Sequence, residues 1–134
     1  MATVETKYLG ELRTQATHVR SSNTLVTDAP VDNQGKGESF SPTDLLAASL
    51  GSCAMTIIGI AARKNGFDVD GTRITITKIM AENPRRVAEV VVEFVFPSNN
   101  YSGPEKEIIE RSARTCPVAC SLHPDLRQTW KFSY

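Results

Sequence analysis

The feature that most constrains the fold is an uncharged stretch of 18 residues, Leu45–Ala62. It is long enough to raise the question of a membrane span. However, small and polar residues interrupt it, and the basic pair Arg63–Lys64 follows it directly. The interrupting residues are Ser49, Gly51, Ser52, Thr56 and Gly59. We therefore expect a buried helix of a soluble protein and no membrane partner.

Residues on both sides of this stretch predict where the helix begins and ends. Ser41 suits the N-cap, Pro42 suits the first helical position, and Asp44 stands three residues after Ser41 as in a capping box. At the other end Gly66 can adopt the left-handed conformation that ends many helices. These signals predict a helix over about Pro42–Asn65.

The rest of the chain predicts strands separated by turns, and a second helix. The expected elements are two hairpin strands over Lys7–Val19 and Thr24–Thr27, a strand around Ile74–Ile79, a strand over Val87–Phe96, a helix opening at Ser102–Glu105, a break near Cys116, a short helix through Leu122, and a strand over Thr129–Tyr134. No linker or repeat divides the sequence. We predict a single domain over residues 1–134, of the α+β class, with a largely antiparallel sheet packed on helices.

Charge and cysteine content exclude several classes of protein. The chain has 15 basic and 15 acidic side chains, so it lacks the surplus of Lys and Arg on which nucleic-acid binding depends. Met1–Lys7 lacks the charged and then apolar order of a signal peptide. The odd number of cysteines, 3, argues against a secreted disulfide framework. We expect a cytoplasmic protein with no nucleic-acid partner.

The cysteines are the candidates for chemistry. Cys53 lies near the middle of the long helix among small residues, and Cys116 lies at the start of the short helix. There, backbone N–H groups and the helix dipole can lower the pKa of a thiol. The two could pair if their Cα atoms approach within about 4.4–6.8 Å. The alternative is that each is a small buried hydrophobic residue.

A zinc site is a second hypothesis for this region. Cys116, Cys120 and His123 form a Cys-x3-Cys-x2-His cluster, which Cys53 or His18 could complete. The cluster is weak evidence because structural zinc requires four ligands, usually in two close pairs. Cys120 could equally pack beneath the short helix.

Two sequence segments resemble a known family. Residues 39–55, SFSPTDLLAASLGSCAM, are followed some sixty residues later by CPVA at 116–119, and TDAPVDNQGKG precedes them at 27–37. The chain resembles the osmotically inducible protein C and organic hydroperoxide resistance (OsmC/Ohr) family. The resemblance implies an intertwined homodimer, with two long helices at its centre and sheets wrapped around them. It also implies a thiol peroxidase that needs no cofactor.

The resemblance also implies roles for two cysteines. Cys53 would attack an organic hydroperoxide and become a sulfenic acid, and Cys116 would resolve that acid as a disulfide. A dithiol such as a lipoyl group would then reduce the disulfide. An apolar pocket lined by Phe40, Met55 and Ile57 would receive the peroxide. The alternative function is a redox-sensing or binding module, in which the same cysteines form a disulfide without turnover.

The family also implies an arginine that activates the peroxidatic thiol, supplied by the N-terminal strands and held by a glutamate just after the helix-opening proline. The candidates are Arg13 and Arg20, and we favour Arg13. The place of the glutamate is taken by Thr43, with Asp44 next to it, which departs from the family pattern. Asp44 could serve as the helix cap alone.

Overall fold

The computed structural model describes all residues, Met1–Tyr134, as six strands and three α-helices. In chain order these are β1 Val4–Gly10, β2 Arg13–His18, β3 Thr24–Asp28, α1 Pro42–Asn65, β4 Arg73–Ala81, β5 Arg86–Val95, α2 Gly103–Arg114, α3 Pro117–Ser121 and β6 Arg127–Ser133; a 3-10 turn covers Val31–Asn33. The chain divides into two compact units, Met1–Leu46 and Ala47–Tyr134. The single domain over 1–134 stays a prediction.

The first unit contains an antiparallel sheet in the order β1-β2-β3. Our expectation of one strand over Lys7–Val19 is wrong, because the chain turns at Glu11 and Leu12 and forms two strands. Both residues have positive φ, 56° and 61°, which lets a two-residue turn follow the twist of the hairpin. Neither residue type favours that conformation, so its sequence does not reveal the turn.

The second unit contains a sheet in the order β4-β5-β6. Strands β4 and β5 are antiparallel, whereas β5 and β6 are parallel because α2 and α3 carry the chain back across the sheet between them. A Cβ atom at Gly51 of α1 would clash with the side chain of Ile76 in β4. The helix therefore lies directly on this sheet through a residue without a side chain.

The long helix begins and ends where its sequence predicts. The N–H of Asp44 donates to Ser41 Oγ at 3.0 Å, and the N–H of Ser41 donates to Asp44 Oδ2 at 2.9 Å, which is a reciprocal capping box. Gly66 has a φ of 76°, and the N–H of Phe67 donates to the carbonyl of Ala62 at 3.0 Å. These bonds satisfy backbone groups that the helix itself leaves unpaired.

By length and composition alone, α1 could cross a membrane, with a mean hydropathy of 2.0 over an 18-residue window. The core helix of a soluble protein passes the same test. The buried residues of α1 recur at helical spacing on one side: Ala47, Leu50, Gly51, Ala54, Ile58 and Ala62. They lie in the core of the second unit with Val90, Val92 and Phe94 of β5, as expected of an amphipathic core helix.

The start of α2 allows a direct test of stability. Ser102 Oγ accepts from the N–H of Glu105 at 3.2 Å, and the N–H of Ser102 donates to Glu105 Oε1 at 2.9 Å. We expect Ser102→Ala to lower the free energy of unfolding by about 1 kcal/mol, the usual cost of losing an N-cap. Urea unfolding measures it. The exposed Ser98 is the control, and equal effects of S98A and S102A would contradict the prediction.

Candidate active site

Two of the three cysteines are in contact. Cys53 in α1 is partly buried, and Cys116 is completely buried, with 0% of its surface exposed. Cys116 is the N-cap of α3 in an extended conformation, and Pro117 begins that helix. The two thiols share a hydrogen bond. The fold therefore brings together the pair of cysteines that the motifs single out.

The surroundings of Cys116 hold it in the thiol form. Burial raises its pKa above the ordinary value, and the adjacent Cys53 raises it further through the hydrogen bond and its charge. The backbone amides of Ala119 and Val118 act in the opposite direction, and burial outweighs them. The expectation that the helix start lowers this pKa is wrong, because desolvation disfavours the charged form more than these amides favour it.

This pKa predicts how stability depends on pH. The unfolded chain ionises Cys116 near pH 9.0, whereas the folded chain does so at higher pH. The contribution of the buried thiol is therefore complete below about pH 9 and is lost as pH rises towards the folded pKa. Under reducing conditions, the urea midpoint of the wild type is expected to fall more between pH 8 and about 10 than that of Cys116→Ala. Cys120→Ala should follow the wild type, and parallel pH profiles for C116A and wild type would refute the assignment.

The zinc hypothesis is wrong. Cys120 is exposed, and its sulfur contacts the carbonyl of Thr115 at 3.5 Å. His123 Nδ1 accepts from the N–H of Asp125 at 3.0 Å, while His18 Nδ1 is bonded to Ser21 Oγ. The structure contains no group of three His, Cys, Asp or Glu residues arranged to hold a metal ion. Sequence spacing alone placed these residues together.

In the first unit, Arg13 is held by an acidic residue that our sequence analysis missed. Arg13 in β2 lies directly opposite Asp28 in β3. Its Nε donates to Asp28 Oδ1 at 2.6 Å and its Nη2 to Asp28 Oδ2 at 2.9 Å, while Glu38 lies 3.6 Å from Nη2. The hydrogen bond from Arg13 holds the pKa of the buried Asp28 carboxyl below its usual range. Arg20, the other candidate, is exposed in the turn after β2.

The residues at the place of the family glutamate make local contacts. Thr43 Oγ1 lies 3.2 Å from Ser41 Oγ, and Asp44 forms the capping box described above. The acidic partners of Arg13 are Asp28 and Glu38. The pairing of Arg13 with Asp28 could be anticipated only from the register of β2 and β3, which the missed turn between β1 and β2 concealed.

The apolar pocket expected beside Cys53 stays a prediction. Met55 and Ile57 are partly buried and pack against the core of the second unit, whereas Phe40 is 57% exposed. The structure has a surface cavity of about 710 Å³ around the C-terminal end of α1, lined by residues between Thr56 and Asp70. Cys53 is not among its lining residues.

The family model described as OsmC-like protein matches residues 35–131. The chain belongs to the OsmC-like protein family. Most of the first unit's sheet precedes the matched segment, which includes both cysteines in contact. No curated protein matches the sequence.

Solved structures extend this OsmC-like assignment to the whole chain. A Psychrobacter arcticus protein, provisionally described as an osmotic stress-induced and detoxification response protein, is 52% identical, with a TM-score of 0.94 over 98% of this chain and 96% of that chain. An organic hydroperoxide resistance protein OsmC from Legionella pneumophila is 14% identical, with a TM-score of 0.79 over 100% and 98% of the two chains. One from Elizabethkingia anophelis is 13% identical, with a TM-score of 0.73 over 99% and 96%. The predicted α+β OsmC-like fold is confirmed.

Proposed function

We propose that this OsmC-like protein is a thiol-dependent peroxidase that reduces organic hydroperoxides. The observation that carries the proposal is the contact between the thiols of Cys53 and the buried Cys116. Membership of a family with hydroperoxide resistance proteins among its structural relatives supports it. The test is consumption of cumene hydroperoxide with a dithiol reductant, which the wild type should sustain over many turnovers and Cys53→Ser should not.

In the first step, Cys53 is the nucleophile. Its thiolate attacks the terminal oxygen of the hydroperoxide, an S–O bond forms, and the O–O bond breaks. The alkoxide takes up a proton and leaves as the alcohol, while Cys53 becomes a sulfenic acid. We assign Arg13 the role of donating a hydrogen bond to the sulfur or to the peroxide during this step, following the family resemblance.

In the second step, Cys116 resolves the sulfenic acid before further oxidation. Its sulfur attacks the sulfur of Cys53, a disulfide forms, and the hydroxyl group leaves as water with the proton of the Cys116 thiol. The contact between the two thiols supports this role because no large rearrangement is needed. The raised pKa of Cys116 keeps the proton on its sulfur until the sulfenic acid is present.

A dithiol closes the cycle. One of its thiolates attacks the Cys53–Cys116 disulfide, and its second thiol then displaces the protein from the mixed disulfide. The dithiol loses two electrons and becomes a cyclic disulfide, as a lipoyl-type group can. The need for such a reductant is our reason for proposing a cytoplasmic location, where thiols are kept reduced.

We also propose that the protein is a homodimer. The strands of the first unit expose large apolar side chains, namely Val4, Tyr8, Leu9, Leu12 and Leu25, and apolar surface of this kind marks an interface. Light scattering coupled to gel filtration is expected to give twice the 14.7 kDa of one chain. Leu25→Asp should lower that mass, whereas Glu5→Asp should not. A wild-type mass of one chain would exclude the dimer.

The redox-sensing module is the second candidate, and the same thiol contact favours it. One equivalent of hydroperoxide would form the disulfide in both cases. A sensor would stop there, whereas a peroxidase continues to consume hydroperoxide when dithiothreitol is present. Counting free thiols after one equivalent, and hydroperoxide after many, therefore separates the two functions.

A further inference from the structure

Arg13 and Asp28 form an ion pair whose acidic member is buried. Asp28 is 1% exposed, whereas the side chain of Arg13 is 31% exposed. Both Nε and Nη2 of the guanidinium donate to this carboxylate, at 2.6 and 2.9 Å. Two bonds between two planar groups fix the orientation of the guanidinium, because both must be kept at once.

The carboxylate of Asp28 is in turn fixed by main-chain groups. The N–H of Glu38 donates to Asp28 Oδ2 at 3.2 Å, and the N–H of Asp28 donates to the carbonyl of Phe40 at 2.9 Å. A buried carboxylate is costly unless it is paired and hydrogen-bonded, and here both conditions are met. The anchor of Arg13 is therefore a rigid, charged group at the end of β3.

The pair leaves one guanidinium nitrogen, Nη1 of Arg13, without a hydrogen-bond partner in the chain. We propose that Asp28 is the positioning residue of Arg13, holding Nε and Nη2 so that Nη1 is the donor available to the reacting sulfur or peroxide oxygen. The inference rests on the proposed function, in which Arg13 acts on that reaction. Because Asp28 neutralises the guanidinium, Arg13 supplies a directed hydrogen bond more than a net charge, which suits an uncharged hydroperoxide.

A double-mutant cycle tests this role. We expect Asp28→Asn to lower kcat/KM for cumene hydroperoxide about tenfold and Arg13→Ala about a hundredfold, magnitudes typical of positioning and of transition-state donors. The double variant should be no slower than R13A, since Asp28 acts only through Arg13. A merely structural Asp28 would cause the same loss in both backgrounds, and that result, or no loss for D28N, would overturn the proposal.

Glu38→Gln is the matched control. It removes the outer charge, 3.6 Å from Nη2 of Arg13, but keeps the backbone N–H that binds Asp28, so kcat/KM should stay within about twofold of wild type. Urea unfolding checks that each variant is folded. If D28N does not fold, Asp28→Glu takes its place, because the longer carboxylate displaces the guanidinium while the charge is kept.

A second readout separates failure of this inference from failure of the proposed function. In variants carrying C116S and C120S, Cys53 is the only thiol, and its rate of alkylation by iodoacetamide needs no peroxidase activity. We expect D28N to change this rate in the presence of Arg13 and to leave it unchanged in the R13A background. A wild type without peroxide turnover would refute the proposed function, and the alkylation cycle would then decide the role of Asp28.

Discussion

Replacing Cys53 by serine is expected to reduce the rate of organic hydroperoxide consumption by at least about 10³-fold, the scale seen when a catalytic nucleophile is removed. The physical reason is that a serine hydroxyl is not ionised at neutral pH and cannot attack the O–O bond as a thiolate does. The measurement is the initial rate of cumene hydroperoxide loss with dithiothreitol as reductant.

The matched control for this experiment is Cys120→Ser. Cys120 is exposed and contacts the carbonyl of Thr115, so its replacement should leave the rate within about twofold of wild type. If the wild type and C53S consume hydroperoxide equally slowly, the assignment of Cys53 as the nucleophile is wrong.

Replacing Cys116 by serine is expected to preserve the first attack but to remove the disulfide step. Sulfenic acid formed on Cys53 would then persist and react with more hydroperoxide to give the sulfinic acid, which dithiols do not reduce. We expect turnover to fall about tenfold or more within a few cycles. Mass spectrometry of Cys53 after excess hydroperoxide should show sulfinic acid in C116S and disulfide in the wild type.

The same experiment has a result that would exclude the resolving role. If C116S keeps the wild-type rate and its Cys53 is not over-oxidised, Cys116 has only a packing role in the core. Cys116→Ala is a useful companion variant, because it removes the hydrogen bond to Cys53 without placing a hydroxyl in a fully buried site. Both variants should give the same oxidation products.

The helices could be predicted from sequence because their signals are local. The bonds that begin α1 join Ser41 and Asp44, three residues apart, and Gly66 ends it. The capping box of α2 likewise joins Ser102 and Glu105. Such contacts form within one helical turn and depend little on the rest of the chain.

The hairpin of the first unit shows where local signals fail. Glu11 and Leu12 adopt positive φ although their side chains disfavour it, so pairing between β1 and β2 must stabilise the turn. Because this turn sets the register, it also decides that Arg13 faces Asp28. The ion pair was therefore beyond prediction, even though both residues are plain in the sequence.

By itself, the sequence determined the helix boundaries, the α+β class and, through its motifs, the family and the two cysteines worth testing. Only the tertiary structure decided that Cys53 and Cys116, 63 residues apart, are in contact and that burial raises the pKa of Cys116. The physical reason is one of range. Capping depends on neighbouring residues, whereas desolvation and thiol contact depend on segments that meet only when the chain has folded.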